Sequence, residues 1–140
     1  MGERLTAMAS EIPHLRVLAP AGDREAACKS IRRFQPEIAV LSSLPHNGGT
    51  LELVKTLRQA GDPPVVIVLA DLHHCQYRQS FLGAGADVVL DCANDFPRLF
   101  HVLAELARES NGNPPLTRDA LRRRVRQLLD GIAEIVENRR

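Results

Sequence analysis

Apolar positions fall along this chain in two rhythms. Leu15 to Ala19, Ile38 to Leu41, Val65 to Ala70 and Val88 to Leu90 are short apolar runs, and the last three are continuous and rich in β-branched residues. Continuous runs of this length mark strands covered on both faces, as in a parallel sheet. Between them the apolar positions recur at helical spacing. Ala27, Ile31 and Phe34 share one face of a helix that Asp23 can cap, with Glu25 and Lys29 paired outside it. Leu51, Val54 and Leu57 form a stripe over residues 50–58, and Gly61 stands just past its end, where a left-handed cap suits glycine. Tyr77, Phe81 and Ala84 align over residues 75–84. Asp95 can cap a helix whose inner face is Leu99, Leu103 and Leu106, with Pro97 in the first turn, where its missing N–H costs nothing. This alternation predicts an α/β fold with right-handed crossovers onto a parallel sheet of about four strands. If each strand adds beside the last in one direction, the three connecting helices share one face. The N-terminal helix, the helix after Asp95 and the final helix, or a partner chain, must then cover the other.

Asn111 to Pro115 (NGNPP) interrupts the pattern and divides the chain into an α/β domain over residues 1–110, a linker over 111–116 and an amphipathic helix over 117–140. Thr117 suits the helix cap, and Leu116 is placed to staple onto Leu121. Leu121, Val125, Leu128, Ile132 and either Ile135 or Val136 then recur at close to a 3.5-residue period. This seam either packs back on its own domain or meets a second chain, and a two-fold homodimer is the commonest such assembly. Gly131 weakens the helix in either case.

The 140 residues suffice for one core without staples. A formal net charge of +1 lacks the basic excess of a nucleic-acid footprint, so no specific DNA binding is expected. The charge is uneven, with seven arginines against four acids over residues 118–140. Arg122, Arg123, Arg124 and Arg126 have no interleaved aromatics and read as the wet face of the final helix rather than a phosphate-binding patch. Three scattered cysteines, Cys28, Cys75 and Cys92, suit a reducing, cytoplasmic setting. No apolar run is long enough to span a membrane, so no membrane partner is expected.

Several stretches resemble a response-regulator receiver domain of the NarL type. Gln35 to Pro45 (QPEIAVLSSLP) and Gly48 to Arg58 (GGTLELVKTLR) resemble the family's third strand, phosphorylation loop and third helix. Pro64 to Leu69 (PVVIVL) resembles its fourth strand, and Gly83 to Leu90 (GAGADVVL) its turn into the fifth. Upstream, Glu3 to Met8 resembles the first helix, and Pro13 to Leu18 followed by Gly22 to Ala27 resembles the second strand and helix. The resemblance covers residues 3 to about 121 and implies a flavodoxin-like (CheY-like) fold. Only two residues precede Glu3, so the first strand and its acidic pair are expected to be absent, whether naturally or through a misplaced start. The DNA-binding domain that follows such receivers is likewise expected to be absent. A receiver needs a carboxylate at the end of its third strand to accept phosphate, and the acidic pair to hold Mg²⁺. The position matching the acceptor is Ser42, which cannot form an acyl phosphate. Ala70 stands where the family has a hydroxyl residue, Cys92 where it has a lysine, and Pro45 falls one place early.

A parallel sheet of this kind gathers ligands at the carboxyl ends of its strands, where Ser42, Ser43, His46, Asp71, His73, His74, Cys75, Asp91 and Cys92 collect. His46, His73, His74, Cys75 and Cys92 are donors a soft metal would take, but consecutive residues rarely point at one centre and no familiar ligand pair occurs. Cys75 or Cys92 beside a histidine lacks an orienting third group for nucleophilic catalysis. Asn47, Gly48 and Gly49 before a helix suit a tight loop or an anion cradle. The sequence therefore leads to a non-enzymatic signalling module, a phosphorylation-deficient pseudo-receiver with no cofactor, whose partners are a second copy or another signalling protein. A ligand- or metal-binding sensor using the His/Cys edge is the competing reading.

Overall fold

The computed structural model describes residues 7–13, 15, 24–43, 49–59, 61, 63–70, 75–91, 95–114 and 116–138, with the backbone alone for residues 24, 42, 43, 49, 75–77 and 130–138. Residues 7–10 are helical. The elements that follow are α1 (Arg24–Phe34), β1 (Ile38–Ser43), α2 (Gly49–Arg58), β2 (Val65–Ala70), α3 (Cys75–Ala84), β3 (Val88–Asp91), α4 (Phe96–Ser110) and α5 (Arg118–Asn138). The strands form a parallel sheet in the order β1-β2-β3, with Val40 opposite Ile67 and Val68 opposite Val89. Three strands are described. The apolar run at 15–19 lies outside the described residues except for Leu15, which packs against the core.

The period-2 geometry of the strands splits the interior into two layers. Val65, Ile67 and Leu69 join Val88 and Leu90 on one face, under Ile12, the α4 residues Leu99, Val102, Leu103 and Leu106, and the α5 residues Leu121, Val125 and Leu129. Val66, Val68 and Ala70 join Ala39 and Val89 on the other, under Leu53, Val54 and Leu57 of α2 and Phe81 of α3, with Ala27, Cys28 and Ile31 of α1 packed alongside. All six β2 residues are buried, because helices cover both faces. The strand order runs in one direction, so α1, α2 and α3 share one face and α4 and α5 cover the other.

Local details depart from the sequence reading. Phe34 leaves the α1 stripe and is 45% exposed, with the Arg33 guanidinium 5.2 Å from its ring centroid. Gly61 does not adopt the left-handed conformation; Gln35 does, at φ 46°, immediately after α1. Asp95 occupies the N-cap of α4 but its carboxylate caps no N–H of that helix. It accepts instead from the Asp91 N–H at 2.8 Å, while the Asp95 N–H donates to the Asp91 carbonyl at 2.9 Å, which closes the loop after β3. Thr117 caps α5 through its Oγ1, which accepts from the Ala120 N–H at 3.2 Å. Leu116 remains 47% exposed, so a staple on Leu121 covers little of it. The Asp23 cap lies outside the described residues.

Candidate functional site

The carboxyl edge of the sheet is where the sequence places chemistry. Its last rung is Ser43, Ala70 and Asp91, and the rung below is Ser42, Leu69 and Leu90. Ser42 is thus the penultimate residue of β1. Ala70 is only 3% exposed and belongs to the apolar layer with Leu53, Val54, Phe81 and Val89. Asp91 is partly buried, and its N–H is held by Asp95. His46, Asn47, Gly48, Asp71, His73, His74 and Cys92 lie outside the described residues, as do the side chains of Ser42, Ser43 and Cys75. Among the described residues, no group of three or more His, Cys, Asp or Glu could hold a metal ion.

The opposite, amino edge carries the most elaborate polar arrangement. Asp87, just before β3, accepts the Val66 N–H on Oδ2 at 2.8 Å and returns its own N–H to the Val66 carbonyl at 2.9 Å. Its Oδ1 lies 3.0 Å from Arg122 Nε and 3.9 Å from Arg58 Nη1. Arg122 Nη2 donates to the Pro63 carbonyl at 3.0 Å, and Nη1 to Asp119 at 3.2 Å. Arg58 reaches Asp87 over Gly85, whose φ is +119°, and a Cβ there would lie 2.1 Å from Arg58 Cγ. The chain thus uses glycine where both the backbone conformation and the close approach demand it.

These contacts correct the reading of the arginines as a wet face. The Arg122 side chain is 14% exposed and bridges α5 to the starts of β2 and β3. Arg124 Nε donates to both carboxylate oxygens of Glu109 at 2.8 and 3.1 Å, and its Nη2 adds a further contact to the same group. These hydrogen bonds hold the Glu109 carboxyl below its ordinary range and raise Arg124. Arg98, in the first turn of α4, donates to the Leu129 carbonyl at 3.3 Å. Arg123 and Arg126 are exposed.

The final-helix seam begins inside the chain's own core, where Leu121 and Val125 are buried. Leu129 is buried beside them, Leu128 is half-buried against the same layer, and the Ile132 side chain lies outside the described residues. Sequence periodicity missed the Asp87–Arg122 and Glu109–Arg124 pairs because it carries no signal for charges that meet across elements. The only available hint was Asp87 directly before an apolar strand, where a carboxylate needs a partner.

No protein-family model matches the sequence, and no curated protein matches it. Solved structures match in fold. A LuxR-family DNA-binding response regulator from Staphylococcus aureus superposes with a TM-score of 0.59 at 15% identity, over 79% of this chain and 87% of that one. The response regulator domain of Thermotoga maritima CheB gives 0.59 at 19% identity, over 81% and 91%. The Mn(2+)-bound form of response regulator Rcp1 gives 0.56 at 19% identity, over 83% and 89%. The molecule has the α/β, flavodoxin-like fold of receiver domains, and the identities extend the likeness to fold alone.

Proposed function

We propose that this chain is a receiver-like, cytoplasmic signalling module that acts through protein contact rather than through phosphoryl transfer. The observation that carries the reading is a receiver fold whose matched positions hold Ser42, a buried Ala70 and Cys92. A serine hydroxyl at the acceptor position forms no acyl phosphate. The Ala70 methyl, packed among Leu53, Val54 and Phe81, offers no hydroxyl to follow a phosphoryl group. An α/β scaffold without that chemistry still presents rigid helical faces to a partner, and those faces are what the proposal assigns to function.

Incubation of the full chain with acetyl phosphate and Mg²⁺ tests this directly. The expected outcome by intact mass is an unmodified protein. A stoichiometric, hydroxylamine-labile phosphate on an aspartate would overturn the proposal.

A further inference from the structure

Among the described residues, the large apolar side chains that stand in solvent are Phe34, Leu82, Phe100 and Leu116. Exposed apolar residues scattered singly need no explanation, but two of these four lie at one corner of the amino edge. Phe34 ends α1 nearly half exposed, and Gln35 then turns the chain in the left-handed conformation. Arg118, in the first turn of α5, reaches the Gln35 carbonyl with Nη2 at 3.4 Å. Leu116, also nearly half exposed, stands two residues before Arg118, so the two Cα atoms lie within about 7 Å of each other. Phe34 and Leu116 thus flank the same contact, one from the end of α1 and one from the approach to α5.

The charge around them is positive. Residues 31–37 hold Arg32 and Arg33 against Glu37, and Arg118 adds a third cation. Asp119, the next residue, is answered by Arg122 at 3.2 Å. Arg32 and Arg33 are exposed, and the Arg33 guanidinium lies over the Phe34 ring. A guanidinium held over a ring still carries N–H donors around its edge, in the geometry a carboxylate accepts. Apolar anchors rimmed by arginines complement a segment whose own apolar side chains are rimmed by carboxylates. We propose that this corner docks an acidic segment of another protein, whose apolar side chains pack on Phe34 and Leu116 and whose carboxylates meet Arg32 and Arg33. Single-stranded nucleic acid also uses arginines and aromatic faces. Here the Arg33 guanidinium already covers one face of the Phe34 ring, and the chain as a whole carries only +1. The inference rests on the protein-contact reading above and deepens it by naming the surface and the chemistry of the partner.

The probe is a fluorescein-labelled peptide of glutamates with leucine and phenylalanine anchors one helical turn apart, titrated with the full chain and followed by fluorescence anisotropy. Saturable binding that weakens as salt rises is expected, with a loss of about tenfold when lysines replace the glutamates. Phe34→Ser and Leu116→Ser should each weaken it about tenfold, as should Arg32→Glu with Arg33→Glu. Circular dichroism should stay unchanged, because all four side chains are exposed. Phe100→Ser, at an exposed site near the start of α4, should bind as the wild type does. Absence of binding, equal binding of the lysine peptide, or binding indifferent to Phe34→Ser and Leu116→Ser would overturn the proposal. So would a single-stranded oligonucleotide that displaces the peptide through the same residues, or a wild-type dimer that Phe34→Ser dissociates; these would assign the corner to nucleic acid or to a second copy. None of these results alters the outcome with acetyl phosphate, so the two readings fail separately.

Discussion

Asp87 joins the starts of β2 and β3 to two arginines from other elements. Its carboxylate is 6% exposed, receives a strand N–H and faces two guanidinium groups. A buried carboxylate is costly unless it is hydrogen-bonded and its charge is offset; the Val66 N–H supplies a hydrogen bond, and the Arg122 and Arg58 guanidinium groups offset the charge. Asp87→Asn keeps an acceptor for Val66 but leaves the Arg122 charge only the exposed Asp119 carboxylate as an acidic partner. The expected loss is about 3 kcal/mol, read as a fall in Tm of roughly 10 °C. A change within experimental error would mean that Arg122 finds its partner in Asp119 and solvent instead. The aspartate itself was legible in the sequence as part of GAGAD. Its partners were not, because they arrive from other helices and no periodicity connects them. Gln35 was equally hidden: the following Pro36 marks a helix end, but nothing in the residue type announces a left-handed turn.

At the scale of elements, apolar rhythm placed β1 to β3 and α1 to α5 within a few residues, since burial on one or two faces is what that rhythm encodes. The final helix shows where rhythm misleads. A 3.5-residue seam selects Leu128, but α5 lies on a sheet rather than coiling around another helix along this stretch. The broader stripe of a straight helix therefore buries Leu129 and leaves Leu128 half-exposed. The α4–α5 contact also brings a pH dependence. Arg124 holds the Glu109 carboxyl below its ordinary range, so the pair's contribution is fully present above the unfolded carboxylate value near 4.3 and is lost as pH falls through the lower folded value. Arg124 is 36% exposed, so solvent screening keeps the contribution small. Urea unfolding at pH 6 and pH 3 should show a larger acid loss in the wild type than in Glu109→Gln. Equal losses would assign the acid sensitivity to other carboxylates.

For the whole molecule, the decisive question is whether residues 111–116 separate a domain from an appendage, as their composition suggests, or merely turn the chain. At the carboxyl edge the sequence reading rested on a resemblance at Ser42, Ala70 and Cys92, while the organisation of the far end of the chain depended on contacts that composition does not carry. Leu121, Val125 and Leu129 lie in the same apolar layer as Val65, Ile67 and Leu99, and Arg122 and Arg98 tie the helix to the sheet edge and to α4. Removing α5 would uncover the part of one face that α4 leaves to it, on a sheet only three strands wide among the described residues. Fully burying a single Leu or Val contributes about 1.5–3 kcal/mol, so three such residues amount to much of the 5–15 kcal/mol that holds an ordinary domain together. A chain ended at residue 116 should therefore lose cooperative thermal unfolding and bind a hydrophobic dye, whereas the full chain should unfold in one transition with coincident far- and near-ultraviolet signals. A truncated chain that unfolds cooperatively at the same temperature would restore the view of the helix as a separate arm.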